Sequence, residues 1–161
     1  MNLGESLLAI GAIILLSILV LSTNSTIFST GNSLNESKFD ILATSVGTSI
    51  IEEASNKAFD ENTIDTTASK TSDLTLKLGP EGETRHNFDD FDDYNDYIGS
   101  DSTMPSAIFD YRCKVEYVIS GNPEKLSGGR SWDKKLTVYV TSNSMSDTVK
   151  LSTVFSYWYF R

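Results

Sequence analysis

From Ser6 to Ser22 the chain carries no charged side chain, and the run Leu7 to Leu21 is apolar on every helical face. A helix of that kind has no polar side to turn toward water, so it must be covered by lipid or by other helices. One acid, Glu5, stands at the head of this run, and the first basic residue of the chain is Lys38. The apolar stretch rises roughly 22 Å against about 30 Å of hydrocarbon, and Leu3, Ile27 and Phe28 extend it at either side. A carboxylate carried into such surroundings costs several kcal/mol unless a cation neutralises it, which marks Glu5 as a functional position.

A secretory signal would begin with Lys or Arg and end in a small-residue cleavage site; neither is present. A plain single-pass anchor explains the apolar run but not the acid. The segment Met1-Asn2-Leu3-Gly4-Glu5-Ser6-Leu7-Leu8-Ala9-Ile10 resembles the mature N-terminus of type IV pilins and the related pseudopilins, which carry an acid at the fifth residue followed by an apolar helix. The resemblance covers about the first 55 residues, and the rest by architecture alone. It departs from the family at Asn2 and Gly4, where Thr and an apolar residue are common.

The resemblance implies a structural subunit that polymerises into an extracellular filament by bundling its N-terminal helices. It implies that Met1 is the mature, N-methylated terminus left by a prepilin peptidase, and that Glu5 neutralises the terminal amine of a neighbouring copy and so sets the axial register. Cleavage after Gly4 is the alternative, and it would make Glu5 itself the first residue. The implied partners are further copies of the chain, the inner-membrane pilus assembly machinery and the peptidase. The implied location is the bacterial inner membrane before assembly and the cell surface afterwards. A minor pilin or a secretion pseudopilin shares the same terminus, and a membrane-tethered binding module is a reading from another class. The resemblance leaves open whether such a filament serves adhesion, motility or secretion.

The next segment, Ser22 to Ser33, is rich in Ser, Thr, Asn and Gly, poor helix formers whose short polar side chains compete for backbone hydrogen bonds. A helix break is expected there, dividing the chain into an apolar helix and break over 1–33 and a globular domain over 34–161. Helical periodicity returns over 34–59, with Leu34, Ile41, Leu42, Val46, Ile50, Ala54 and Ala58 along one face and a capping box from Ser33 to Glu36 at its start.

Period-two patterns follow. Leu74, Leu76 and Leu78 alternate with polar residues, as do Tyr111, Cys113, Val115, Tyr117 and Ile119 within 110–120. The same holds for Leu136, Val138 and Val140 within 134–141, and for Val149, Leu151, Thr153, Phe155, Tyr157 and Tyr159 within 148–160. Short polar connections make these an antiparallel meander over 74–160, whose apolar face the 34–59 helix covers. The expected fold class is α+β: a long N-terminal helix, apolar then amphipathic, on a C-terminal antiparallel sheet. Pilins share that architecture.

Six aspartates fall between Asp89 and Asp101, interleaved with Phe88, Phe91, Tyr94 and Tyr97 at spacings of three. Oxygen ligands in that number suit calcium, but the helix-loop-helix calcium pattern fails, because Asn95 stands where a register from Asp90 needs Gly. The spacing predicts rings toward the core and acids toward water, and no metal ligand is assigned.

No enzyme motif appears. His86 is the only histidine and Cys113 the only cysteine, so neither a zinc cluster nor an internal disulfide is available. Cys113 lies in phase with an apolar strand face, as a small buried hydrophobe would. Gly128-Gly129 lacks the Lys-Ser or Lys-Thr continuation of a phosphate loop, and no cofactor is expected. A net charge of −9 with scattered basic residues argues against nucleic acid as a partner.

Overall fold

A computed structural model describes residues 2–158 of the 161. The chain divides into two compact units, one ending at Phe39 and one beginning at Asp40. Among the described residues the secondary structure is one long helix, α1 (Leu3–Ser55), three short 3-10 turns (Glu61–Thr63, Thr71–Asp73 and Asp92–Tyr94) and five strands.

The expected break over 22–33 is absent, and with it the helix start at Ser33 and Glu36: α1 is helical through the whole segment. The Ser and Thr side chains that argue for a break turn back onto the helix instead. Thr23 Oγ1 donates to the Leu19 carbonyl at 2.8 Å, and Thr26 Oγ1 to the Ser22 carbonyl at 3.0 Å. Hydroxyls satisfied in this way expose no competing donor, so low propensity alone, tenths of a kcal/mol per residue, does not stop the helix. In the first unit every large apolar residue from Leu3 to Phe28 is more than half exposed. That part of α1 is long and apolar enough to cross a membrane.

In the second unit the buried face of α1 is narrower than the sequence stripe. Ala43, Val46, Gly47, Ile50 and Ala54 are buried, at spacings of three and four, whereas Leu34 and Ile41 are exposed. Gly47 lies so close to the sheet that a Cβ would overlap the Leu151 side chain. The helix stops at Ser55 rather than Phe59 because Ala58 is recruited by another segment. Its N–H donates to the Asp89 carbonyl at 3.0 Å, and its carbonyl accepts from Phe91 N–H at 2.9 Å.

The sheet comprises β1 (Ile98–Asp101), β2 (Phe109–Ile119), β3 (Asn122–Leu126), β4 (Asp133–Thr141) and β5 (Val149–Ser156), all antiparallel, in the order β1-β2-β4-β5. β3 pairs with the end of β2 through a tight hairpin in which Gly121 adopts φ +82°, a left-handed conformation natural to glycine. Cys113, Val115 and Tyr117 of β2 and Leu136, Val138 and Val140 of β4 are buried, as their alternation predicts. Pairs such as Cys113 with Val138 and Val115 with Leu136 lie directly opposite each other. The last residues of the expected final strand, Tyr159 and Phe160, lie outside the described residues.

The strands depart from expectation in two ways. β1 and β3 have no counterpart in the alternating patterns, since Ile98–Asp101 sits at the end of the acidic segment and Asn122–Leu126 is exposed throughout. Conversely, Leu74 to Leu78 is not a strand, so the sheet begins at Ile98. Thr75 shows why: its N–H and hydroxyl both donate to the Asp60 carboxylate, at 2.9 Å to Oδ1, and its carbonyl accepts from Tyr117 Oη at 2.7 Å. With both backbone groups engaged by side chains, no ladder partner is needed.

Candidate functional sites

Glu5 lies in the first turn of α1. Its Oε2 accepts a hydrogen bond from the Asn2 backbone N–H at 3.2 Å, and its own N–H donates to the Asn2 carbonyl at 2.9 Å. A carboxylate there meets the positive end of the helix dipole. Met1, the residue implied to carry the terminal amine and its methylation, lies outside the described residues. Gly4 has open space around it.

The second site has no counterpart among the expected ones. The expectation that the acids of the 89–101 segment face water fails for three of them: Asp90 and Asp92 are wholly buried and Asp93 is 1% exposed. Three of the four rings behave as expected, with Phe88, Phe91 and Tyr94 in the core and Tyr97 half-buried. Asp92 is drawn in by Lys134, the first core-phase residue of β4, itself 0% exposed. Its ammonium donates to the Phe59 carbonyl at 2.7 Å, to Asp60 Oδ2 at 2.8 Å and to Asp92 Oδ1. Three donors thus meet three acceptors. The rings of Phe59 and Tyr117 flank the amine at 4.6 and 5.3 Å.

The carboxylates around Lys134 are not equivalent. Asp60 also accepts from Thr75 N–H, Thr75 Oγ1, Asn62 N–H and, at 3.1 Å, Tyr117 Oη. Burial pushes its carboxyl up, but the charge of Lys134 and these hydrogen bonds outweigh it and leave the group below the usual carboxylate range. For Asp92 burial wins over the attraction of Lys134, and its carboxyl is raised. The Gly79 amide lies within electrostatic reach of Asp92, yet Oδ2 is buried without a hydrogen bond. Asp90 receives the Asp92 and Asp93 N–H groups on Oδ1, at 2.7 and 3.0 Å, while its Oδ2 is also buried and without a partner. Burial, then the charge of Asp92, pushes Asp90 up to about 8, so it holds its proton at neutral pH.

Beside this cluster Glu83, Asp89 and Asp93 bring carboxylate oxygens within 4.8 Å of one another. These are hard oxygen ligands of the kind calcium takes, and Asp89 and Asp93 belong to the aspartate run. Asp93 Oδ2 is occupied by the N–H groups of Asp89 and Asp90. Arg85 closes the other side, paired through both terminal nitrogens with Glu53 of α1 and lying 4.9 Å from the Tyr94 ring.

His86 is exposed, with no nucleophile or acid hydrogen-bonded to it among the described residues. Cys113 is buried, and burial pushes its thiol up to about 12, which leaves it without thiolate character. The signal that could have found Lys134 is its phase: it falls two residues before Leu136 on the buried face of a strand. No pattern singles out Asp60, whose place beneath Lys134 depends on the turn after α1. No family model, curated protein or solved structure matches this chain.

Proposed function

We propose that the chain is the structural subunit of a type IV pilus-like filament, held in a membrane by the first half of α1 and packed through that same surface against other copies after assembly. The observation that carries this reading is the unbroken exposure of the large apolar side chains from Leu3 to Phe28 on a helix whose only acid in that stretch is Glu5. Burying that surface is favourable by about 25 cal/mol per Å². Lipid and a helical bundle both achieve it, which is what a subunit that moves from one to the other requires. In the bundle Glu5 accepts the terminal amine of a neighbouring copy, and each charge removes the cost of burying the other. Before assembly its hydrogen bond to the Asn2 N–H and the helix dipole hold the carboxylate at the end of the helix.

The test is Glu5→Ala in cells that produce the filament. Surface filaments are expected to be lost, while the mutant chain stays in the membrane with an unchanged melting temperature for the domain beyond Asp40. Filaments in normal number would refute the pairing.

A further inference from the structure

The buried cluster around Lys134 holds more acid than one cation needs, and its parts are arranged for a reaction between them. An amine and a carboxylic acid do not condense in water, chiefly because both ionise and water competes. Here both obstacles are reduced. Lys134 and Asp92 are each 0% exposed and in direct contact through Nζ and Oδ1, with the rings of Phe59 and Tyr117 flanking the Lys134 amine. Burial disfavours the ionised carboxylate of Asp92 relative to its acid form. Reactants fixed in contact also gain effective molarities of about 10⁵ to 10⁸ M over free ones.

The two aspartates that touch Lys134 differ in a way that selects one of them. Asp60 has its oxygens filled by Thr75, Tyr117 and Asn62 donors, which favour the carboxylate and make it a counter-ion. Asp92 keeps one buried oxygen without a hydrogen bond, as does Asp90 two residues before it. We propose that Lys134 Nζ and the Asp92 side chain condense to an intramolecular isopeptide bond, with Asp90 as the proton carrier.

The ammonium of Lys134 first gives a proton to Asp92, producing the neutral pair. The Nζ lone pair then forms a bond to Asp92 Cγ. Asp90 donates its proton to the departing hydroxyl, the Cγ–O bond breaks and one water leaves. The nitrogen returns a proton to Asp90, which is restored. An ammonium and a carboxylate have become an amide and a water, with no oxidant, metal or cofactor involved. Asp90 suits the role because its Oδ1 accepts the Asp92 N–H at 2.7 Å, which holds its carboxyl beside Asp92, while its buried Oδ2 has no hydrogen-bond partner. The product removes two buried charges and ties β4 covalently to the 3-10 turn at Asp92–Tyr94.

Mass spectrometry of a proteolytic digest of the full, detergent-solubilised chain decides the matter. The expected result is a branched peptide joining Lys134 to Asp92, one water lighter than its two linear components. Recovery of those components in linear, unmodified form would overturn the proposal, as would a branch at Asp60. Lys134→Arg keeps the cation but not the nucleophile and is expected to abolish the branch. Asp90→Ala is expected to leave the peptides linear in a chain whose circular dichroism still shows the sheet; a branched peptide in that variant would overturn the role of Asp90.

Discussion

In the helix before Phe39, fourteen large apolar side chains from Leu3 to Phe28 stand more than half exposed, and the one acid among them sits at the end of the helix. In the domain from Asp40 the arrangement is inverted: a lysine and three aspartates are wholly buried under a sheet whose edges carry the ordinary surface charge. Neither arrangement follows from the usual sorting of apolar in and polar out. The first is stable only when something outside the chain covers it. The second is satisfied by groups inside the chain, through the contacts of Lys134 with Asp60 and Asp92 and the donors around Asp60. One region therefore depends on its surroundings and the other is self-sufficient.

The largest effect should come from breaking the self-sufficient side. Lys134→Met fills the same space but leaves two buried acids without the amine they share and forgoes the proposed amide; removing one partner of a buried pair alone costs about 3 to 5 kcal/mol. Chemical denaturation of the whole chain is expected to show that loss in the domain transition, with membrane retention of α1 unchanged. A loss below about 1 kcal/mol, the range of an exposed pair, would mean that water reaches the cluster. The contrast between the two regions would then fail.

How far each region is legible follows from the range of the forces that shape it. The apolar helix, its acid and the buried phases of β2 and β4 are local patterns: Glu5, Cys113 and Val138 can be placed from their immediate neighbours. The helix through Ser22 to Ser33 escapes a propensity reading because propensity describes a side chain competing with the helix, whereas Thr23 and Thr26 bond back into it. The buried charges are invisible for a different reason. Asp60, Asp92 and Lys134 meet across separations of 42 and 74 residues, and no window along the chain contains all three. Leu74 to Leu78 has strand alternation, but Asp60 takes the N–H of Thr75 that a ladder would use.

On the dependent side, Ile14→Asp places a charge in the middle of the exposed apolar surface. Ile14 belongs to the first unit and is 53% exposed, so the denaturation midpoint of the domain is expected to stay where it is. Insertion into a bilayer should suffer, since an Asp at the centre of a spanning helix costs about 2.5 to 3.5 kcal/mol. Fractionation of cells making the variant is expected to show a large shift from membrane to soluble or degraded chain. If retention is unaffected while the domain weakens, the two regions are not separable in the way their burial suggests.

The smallest of the three effects, taken over one pH unit, is a pH dependence confined to the domain. Asp90 is raised to about 8 by its burial first and by Asp92 second, with Lys134 opposing and Asp93 adding to the rise. A carboxyl raised on folding means that the folded state binds a proton the unfolded chain releases. Its contribution is therefore complete below about pH 4, the ordinary value for Asp, and is lost as pH climbs toward 8. Asp60 and Glu53, both lowered by their basic partners, act in the opposite sense, but their effect is complete by about pH 5. Between about pH 5 and pH 8 the stability of the domain should fall, by about 1.4 kcal/mol for each pH interval of one over which the folded state keeps the proton that the unfolded chain has released. Burial is the main cause, so the fall persists when Asp92 is consumed in an amide. Asp90→Asn carries no titrating proton and is expected to flatten the curve over that window. An unchanged slope in Asp90→Asn would assign it to the other carboxyls that burial raises, Asp93, Glu83 and Glu81 among them, rather than to Asp90.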